Sequence, residues 1–417
     1  MVSIFSCGSS FFRRGAIFFF FCAVLGLAGM LSPSAASASR GTLPPEVQKV
    51  LSALMELRSS GAELPAKADM DAFLAYTTSP LNLTVAGEEP PRPAKYQGAT
   101  GIMWRNMVKA PFSTTLQYLY NPKISGSVVY PASIRRSNWQ PGSDILALTE
   151  PLVEQFAKLQ GQPRILRGSE FEEITPDTFS GAYYSYVLDR LLILTEHQGR
   201  RVMISLSWQK ERSEVGKKAA FIGQYEDWDF IYSGAKGTLA KGIGWADTFI
   251  YSSACCTVFY EDAPEGNMTG YAMYRWMNAG WSGMNMVKGH HIVSGAERSF
   301  LGLQSFMESP KRPDAEDLVA YRDSLEALDL ATLRERFKPY SVKVVESVAA
   351  VDALQTEDFQ KVIKDAGYGD SLQKEEIIAT MCVNYLKGQL GLSQLAGPLG
   401  DEEAAQAADA QTSSPAK

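Results

Sequence analysis

The segment Gly280-Trp281-Ser282-Gly283 combines residue types that could perform covalent chemistry. It is one residue short of the G-x-S-x-G elbow of serine hydrolases, because Met284 stands where the last glycine belongs. It follows a predicted strand and precedes a predicted helix, which is the context of such an elbow. His291 is a candidate general base, but no acid and histidine follow in a recognisable order. An exported hydrolase that uses Ser282 or His291 is therefore an alternative hypothesis.

Three other patterns have ordinary structural explanations. The segment Ser233–Lys236 has S-x-x-K spacing, but it lies in a glycine-rich turn and lacks the partner motifs of penicillin-recognising enzymes. His290 and His291 are adjacent, so on a helix they point about 100° apart and do not share a metal ion. Asp227 and Asp229 are expected on the solvated face of a strand. We therefore predict no catalytic residue, no metal site and no cofactor.

Aromatic residues crowd the stretch from 180 to 281. Tyrosine and tryptophan carry a polar tip, so many of them together are awkward in a dry core. A sheet closed by a helix often encloses a ligand cavity with such a lining. A well-packed sheet with half-exposed tyrosines is the alternative, because strands favour aromatic residues anyway. The residues predicted to bind a ligand are Tyr184, Tyr186, Trp228, Tyr232, Phe249, Tyr251, Tyr274 and Trp276.

Period-two alternation predicts an antiparallel meander at about 180–280. The segments 182–196 and 201–209 flank a short turn at His197–Arg200, and Val202 and Ile204 alternate with Met203 in the second segment. Short connections that contain glycine favour antiparallel pairing. Further strands are predicted at 219–224, 227–233, 246–260 and 269–277.

A long helix is predicted over 286–308, directly after the meander. Val293, Phe300, Leu303 and Met307 fall on one helical face. Such an apolar stripe should pack against the sheet. The fold class is therefore α+β, an antiparallel meander packed by a long helix between helical N- and C-terminal segments. The arrangement would be similar in topology to helix-grip lipid-binding domains.

The remaining segments complete the predicted domain plan. Apolar spacing predicts helices at 44–76, 150–160, 314–337 and 357–390, and four prolines predict a linker at 78–97. The predicted units are a cleavable signal peptide at 1–38, a helical segment with a Pro-rich linker at 39–110, the sheet and helix core at 111–310, a C-terminal helical segment at 311–392 and a disordered acidic tail at 393–417.

The first 38 residues read as a secretory signal. Arg13 and Arg14 precede an apolar run from Gly15 to Leu31, and Ala36-Ser37-Ala38 supplies small residues before a cleavage site. An uncleaved anchor is the alternative. We predict a protein exported to the periplasm or secreted, with no transmembrane segment after cleavage.

Charge and cysteine content narrow the function further. Removal of residues 1–38 takes away two arginines and no acid, so the net charge changes from −6 to −8. An acidic surface argues against nucleic-acid binding. The mature chain keeps Cys255, Cys256 and Cys382, which are expected as buried thiols, with a pair between Cys382 and one of the others as the alternative.

The absence of a coherent catalytic set favours binding over catalysis. Our leading hypothesis is an exported, non-catalytic protein that holds a hydrophobic small molecule or lipid between the sheet and the 286–308 helix. A cell-envelope module that binds an unknown protein partner through its terminal helices and acidic tail is a further alternative.

Overall fold

Helices cover both faces of a large antiparallel sheet, which confirms the predicted α+β class. The structure is a computed structural model. It describes residues 41–59, 62–80, 90–263, 266–349, 351, 354–364, 367–397 and 399. The predicted signal peptide lies outside these residues.

The strands form two sheets. In chain order they are β1 (Thr100–Val108), β2 (Ile134–Trp139), β3 (Arg164–Ile174), β4 (Ala182–Tyr183), β5 (Ser185–His197), β6 (Arg200–Gln209), β7 (Lys217–Phe221), β8 (Phe230–Lys236), β9 (Thr248–Glu261) and β10 (Thr269–Trp281). The large sheet has the order β1-β10-β9-β6-β5-β3-β2, and the small sheet has the order β4-β7-β8. All strand pairs within them are antiparallel.

The prediction of one continuous meander at 180–280 was wrong in its strand order. Strands β7 and β8 leave the large sheet and pair with β4, so β6 pairs directly with β9. The hairpin between β5 and β6 is as predicted, because Gln198 and Gly199 both adopt positive φ angles (52° and 72°), which suit a two-residue turn. Strands β1, β2 and β3 were missed. The segment of β1 is buried on both faces, so it lacks the alternation that marks a half-exposed strand.

Two helices cover one face of the large sheet. They are α1 (Pro45–Glu56) and α2 (Lys67–Thr78), and they confirm the predicted N-terminal helices. Leu51, Leu54 and Phe73 are fully buried and share a core with Ile204 and Val258 of the sheet. Burial of each such side chain contributes roughly 1.5–3 kcal/mol.

The predicted long helix lies on the opposite face of the sheet. After the short helices α3 (Phe112–Leu119) and α4 (Gly126–Val129) comes α5 (Gly289–Met307). The Phe300 ring of α5 lies 4.6 Å from the ring of Trp104 and 5.8 Å from that of Tyr271, measured between centroids. These contacts fix α5 on β1 and β10, so most of the neighbouring strands β9 and β6 lie beside the helix.

The C-terminal helices complete the fold. They are α6 (Ala315–Glu326), α7 (Leu330–Ala349), α8 (Glu357–Lys364), α9 (Gly367–Asp370) and α10 (Lys374–Leu390). Arg135 on β2 binds Glu173 at 2.8 Å and Glu376 at 2.9 Å, which ties α10 to the large sheet. No helix in the described ranges is long and apolar enough to span a membrane.

Two smaller predictions need correction. The helix predicted at 150–160 is a short 3₁₀ helix, Leu152–Lys158. The tail predicted to be disordered from residue 393 is ordered at 393–397 and 399, because the Gln394 amide donates to the Asn384 carbonyl and Leu399 is buried. The rest of that predicted tail lies outside the described residues.

Candidate functional site

A cavity of about 810 Å³ lies between α5 and the large sheet. Its volume falls within the roughly 300–1,000 Å³ typical of small-molecule sites. The α5 side is formed by residues from His291 to Leu301, and the sheet side by β3, β5, β6, β9 and β10. The interface that the sequence predicted is therefore present but incompletely filled.

Short side chains on the central strands explain why space remains. Arg190, Ser207, Cys255 and Arg275 form one row across β5, β6, β9 and β10, each paired with the next. All four line the cavity. Neighbouring strands are about 4.8 Å apart, so roughly 14 Å of floor between the two arginines carries only a serine and a cysteine.

Arg190 is the centre of a charged cluster on this floor. Its Nη2 lies 2.6 Å from Glu170 Oε2 and 3.0 Å from Glu172 Oε1, and its Nη1 donates to Ser205 Oγ at 3.3 Å. Both carboxylates come from β3, next to β5. Arg190 is thus balanced by two acids within the fold.

Arg275 faces the same cavity without such a partner. Its buried Nε has no hydrogen-bond partner, and among the described residues no carboxylate forms a salt bridge with it. Its row neighbour Cys255 has its Sγ 3.3 Å from Thr257 Oγ1, so it interacts with its own strand. A guanidinium that lacks an ion pair in a cavity is a strong candidate for ligand binding.

The environment shifts the acid–base properties of the floor. Burial and the neighbouring Glu170 raise the pKa of Glu172 above its ordinary value, although Arg190, Arg275 and a hydrogen bond from Tyr186 oppose the shift. Burial and the Glu172 carboxyl raise the pKa of Tyr186, so the phenol stays protonated. Burial also raises the pKa of the Cys255 thiol, so this group is not an activated nucleophile.

The cavity opens where its lining residues are also exposed. Phe179 is 66% exposed, Leu301 45%, Met286 41% and Tyr225 38%. The ring of His291 stacks on Phe179 at 5.2 Å between centroids. The mouth therefore combines these apolar and aromatic side chains with the exposed Thr178, Ser294 and Glu297, whereas the deep floor is charged.

Two of the eight predicted ligand-binding residues line this cavity. Tyr184 donates to Thr248 Oγ1 at 3.1 Å, and burial raises its pKa to about 12. Tyr186 lies opposite Glu172 in the pairing of β3 and β5. Both side chains are in the cavity wall, as the hypothesis required.

Four predicted residues are outside the cavity lining and serve packing, and two of them, Trp228 and Tyr232, belong to the core on the α5 side of the sheet. The Arg135 guanidinium lies 3.7 Å from the Tyr232 ring centroid, and Trp228 is buried in the core of that side. The Phe249 ring lies under the Arg212 guanidinium at 4.2 Å. Tyr251 accepts a hydrogen bond from the Gly283 backbone N–H at 2.8 Å, so it holds the turn near the mouth.

The last two predicted residues lie on the opposite face of the sheet. Tyr274 hydrogen-bonds to Thr77 of α2 at 2.8 Å, and the Trp276 indole N–H donates to the Ala94 carbonyl at 2.8 Å. Alternation along β10 is the reason, because Tyr271 and Arg275 take the cavity face and residues of the other parity pack under α1 and α2. Neither can contact a ligand in the cavity.

The hydrolase candidates lie near the mouth. Ser282 is exposed in the turn after β10, with φ of 51°. His291 Nδ1 accepts a hydrogen bond from the Lys288 backbone N–H at 3.3 Å, so this nitrogen caps the start of α5. Burial, His290 and Lys288 lower the pKa of His291.

The prediction that Asp229 is solvated was wrong. The strand β8 begins only at Phe230, and Tyr225–Asp227 form a 3₁₀ turn that ends at Trp228 in a left-handed conformation. This turn breaks the alternation, so Asp229 is buried, with Lys387 Nζ 2.6 Å from its Oδ2.

Cysteines and metal ligands add no second site. Cys255, Cys256 and Cys382 form no disulfide with one another, and Cys255 and Cys256 belong to opposite faces of the sheet. Within the part of the chain that the structure describes, no three His, Cys, Asp or Glu side chains are grouped to hold a metal ion.

Sequence reasoning missed the floor itself. Ser205 and Ser207 alternate with Ile204 and Leu206, and this alternation is typical of a strand whose serines face solvent, so it did not indicate a cavity. The available signal was Arg275, a charged residue inside an otherwise apolar and aromatic strand.

We compared the chain with models of known families, with curated proteins and with solved structures, and none of the three comparisons gave a match.

Proposed function

We propose that this protein is exported, to the periplasm or beyond the cell, and there binds a hydrophobic or amphipathic small molecule between its sheet and α5. The observation that carries this proposal is the cavity of about 810 Å³ beneath α5. Protein interiors are normally packed to crystal-like density, so a void of this size in an otherwise filled core favours a ligand site. The apolar side chains at the mouth give a hydrocarbon chain a route of entry.

Ser207→Leu tests the proposal, because it places a larger side chain on the cavity floor. The added leucine carbons fill empty space in the ligand-free protein, so we expect the variant to be as stable as wild type. A ligand in the same space should lose affinity about tenfold or more, since an intruding side chain costs roughly 1–3 kcal/mol. Ser305→Leu, on the exposed face of α5, is the matched control.

The measurement has two parts. Mature protein is extracted with solvent and the extract is examined by mass spectrometry, and a panel of lipids and fatty acids is screened for a rise in melting temperature. Support requires a bound molecule or a stabilising ligand whose effect is lost in Ser207→Leu and kept in Ser305→Leu. An empty extract together with no stabilising compound would overturn the proposal.

A second candidate function is acid–base catalysis on the bound molecule. It is favoured by one observation, the raised pKa of Glu172 beside Tyr186 in a cavity. In that case Glu172, whose pKa is raised, would be the acid that donates a proton to the ligand. Recovery of the ligand chemically unchanged after long incubation with the protein would argue for binding alone.

A further inference from the structure

The charged side chains on the cavity floor are unevenly paired. Four charged side chains lie there, namely Glu170, Glu172, Arg190 and Arg275. Arg190 holds both carboxylates within 3.0 Å. Both acids are thus held by Arg190, which leaves Arg275 as a guanidinium without an ion pair among the described residues.

We propose that Arg275 anchors the anionic head group of the ligand, so that the ligand is an aliphatic monocarboxylic acid with its chain toward α5 and the mouth. This inference rests on the proposed binding function. A guanidinium matches a carboxylate with two parallel hydrogen bonds, and such charge-assisted bonds are strong away from water. The buried Nε of Arg275 supplies one donor that has no partner inside the protein.

The surroundings of Arg275 favour one negative charge over two. Glu170 and Glu172 lie on the same floor and repel a dianion such as a phosphate monoester. Arg190 cannot serve equally, because its Nη2 is already bound by both acids. Of the two arginines on the floor, Arg275 is thus the one without an ion pair among the described residues.

The walls beside Arg275 suit a hydrocarbon chain. Tyr271 and Met273 precede it on the same face of β10, and the Tyr271 hydroxyl contacts Met273 Sδ at 3.5 Å rather than facing a ligand. The Phe259 ring packs on Tyr271 at 5.2 Å between centroids. An amphiphile therefore meets charge at the floor and apolar surface along the wall that Tyr271, Met273 and Phe259 form.

The test compares dodecanoic acid with dodecanol by isothermal titration calorimetry. Wild-type protein should bind the acid, and Arg275→Gln should weaken that binding about tenfold to a hundredfold, as expected for loss of a charge-assisted pair. Dodecanol should bind the wild-type protein and Arg275→Gln alike. Arg275→Lys keeps the charge and should restore part of the affinity for the acid. Arg201→Gln, outside the cavity lining, is the control and should bind as wild type does.

The outcomes separate the two proposals. Equal binding of acid and alcohol in wild type, unchanged in Arg275→Gln, overturns the anchor and leaves the binding function standing. Failure of both compounds to bind the folded wild-type protein overturns the monocarboxylic acid as ligand, and the solvent extract with the ligand panel then decides the binding function. Circular dichroism and melting temperature establish that Arg275→Gln is folded, and if it is not, the acid-over-alcohol preference of Arg275→Lys relative to wild type decides.

Discussion

Replacement of Asp229 by leucine should unfold the protein at much lower denaturant concentration than wild type. Asp229 and Lys387 form an ion pair at 2.6 Å, with 8% and 1% of their side chains exposed, and the Tyr340 hydroxyl donates to the same carboxylate at 3.3 Å. Their attraction is about 6 kcal/mol at an effective dielectric constant of about 20. Loss of one partner leaves a buried ammonium without compensation, so we expect a loss of about 3–5 kcal/mol.

The double variant Asp229→Leu/Lys387→Met should behave quite differently. Burial raises the pKa of Asp229 even though Lys387 opposes the shift, so attraction to Lys387 does not fully offset the desolvation of the carboxylate. A carboxyl with a raised pKa in the folded state lowers stability as pH rises from its ordinary value through the raised one. The double variant lacks that loss, and it should match or exceed wild-type stability at neutral pH.

Urea unfolding of the four proteins in this double-mutant cycle measures both numbers. A decrease in the free energy of unfolding of less than about 1 kcal/mol in Asp229→Leu alone would contradict this expectation, since a buried ammonium without a partner should destabilise the protein by more than that. The expectation would be refuted equally if the double variant lost the sum of the single losses.

The cavity gives two further predictions. Binding of a carboxylate beside Glu172 should favour the neutral form of Glu172, so affinity for the acid should fall as pH rises through the raised pKa of this group. Glu170 raises that pKa, whereas Arg190, Arg275 and Tyr186 lower it. Calorimetry in buffers of different ionisation heat should detect proton uptake on binding that disappears in Glu172→Gln. Because burial raises its pKa, Cys255 should react slowly with a thiol reagent in the free protein and more slowly still with ligand bound, whereas a rate unaffected by ligand would place the ligand elsewhere.

The sequence predicted the layers of the fold better than the site. The stripe of α5 is buried as expected, and β6 forms where alternation predicted it, although both of its faces are buried rather than one. The segment of β3 gave no strand signal, because Glu170 and Glu172 made it look like a charged loop. Those acids are tolerated there only because Arg190, from the next strand, compensates them, and periodicity along one segment cannot reveal a partner from another.

Site residues were predicted from their chemical type, whereas in the structure the odd or even position along a strand decides which side chains face the cavity. Tyr274 and Tyr271 have the same chemistry, but three positions along a strand place them on opposite faces. Which face held the cavity depended on how α5 leaves the short side chains of β6 and β9 uncovered. That is a property of packing in three dimensions, and the aromatic composition alone could not show it.

A crystal structure with ω-bromododecanoic acid at saturating concentration would locate the bound ligand. We expect an anomalous bromine peak between α5 and the large sheet or at the mouth of the cavity, with the carboxylate on Arg275. A bromine peak only on the outer surface, or a cavity that holds nothing but ordered water, would contradict it.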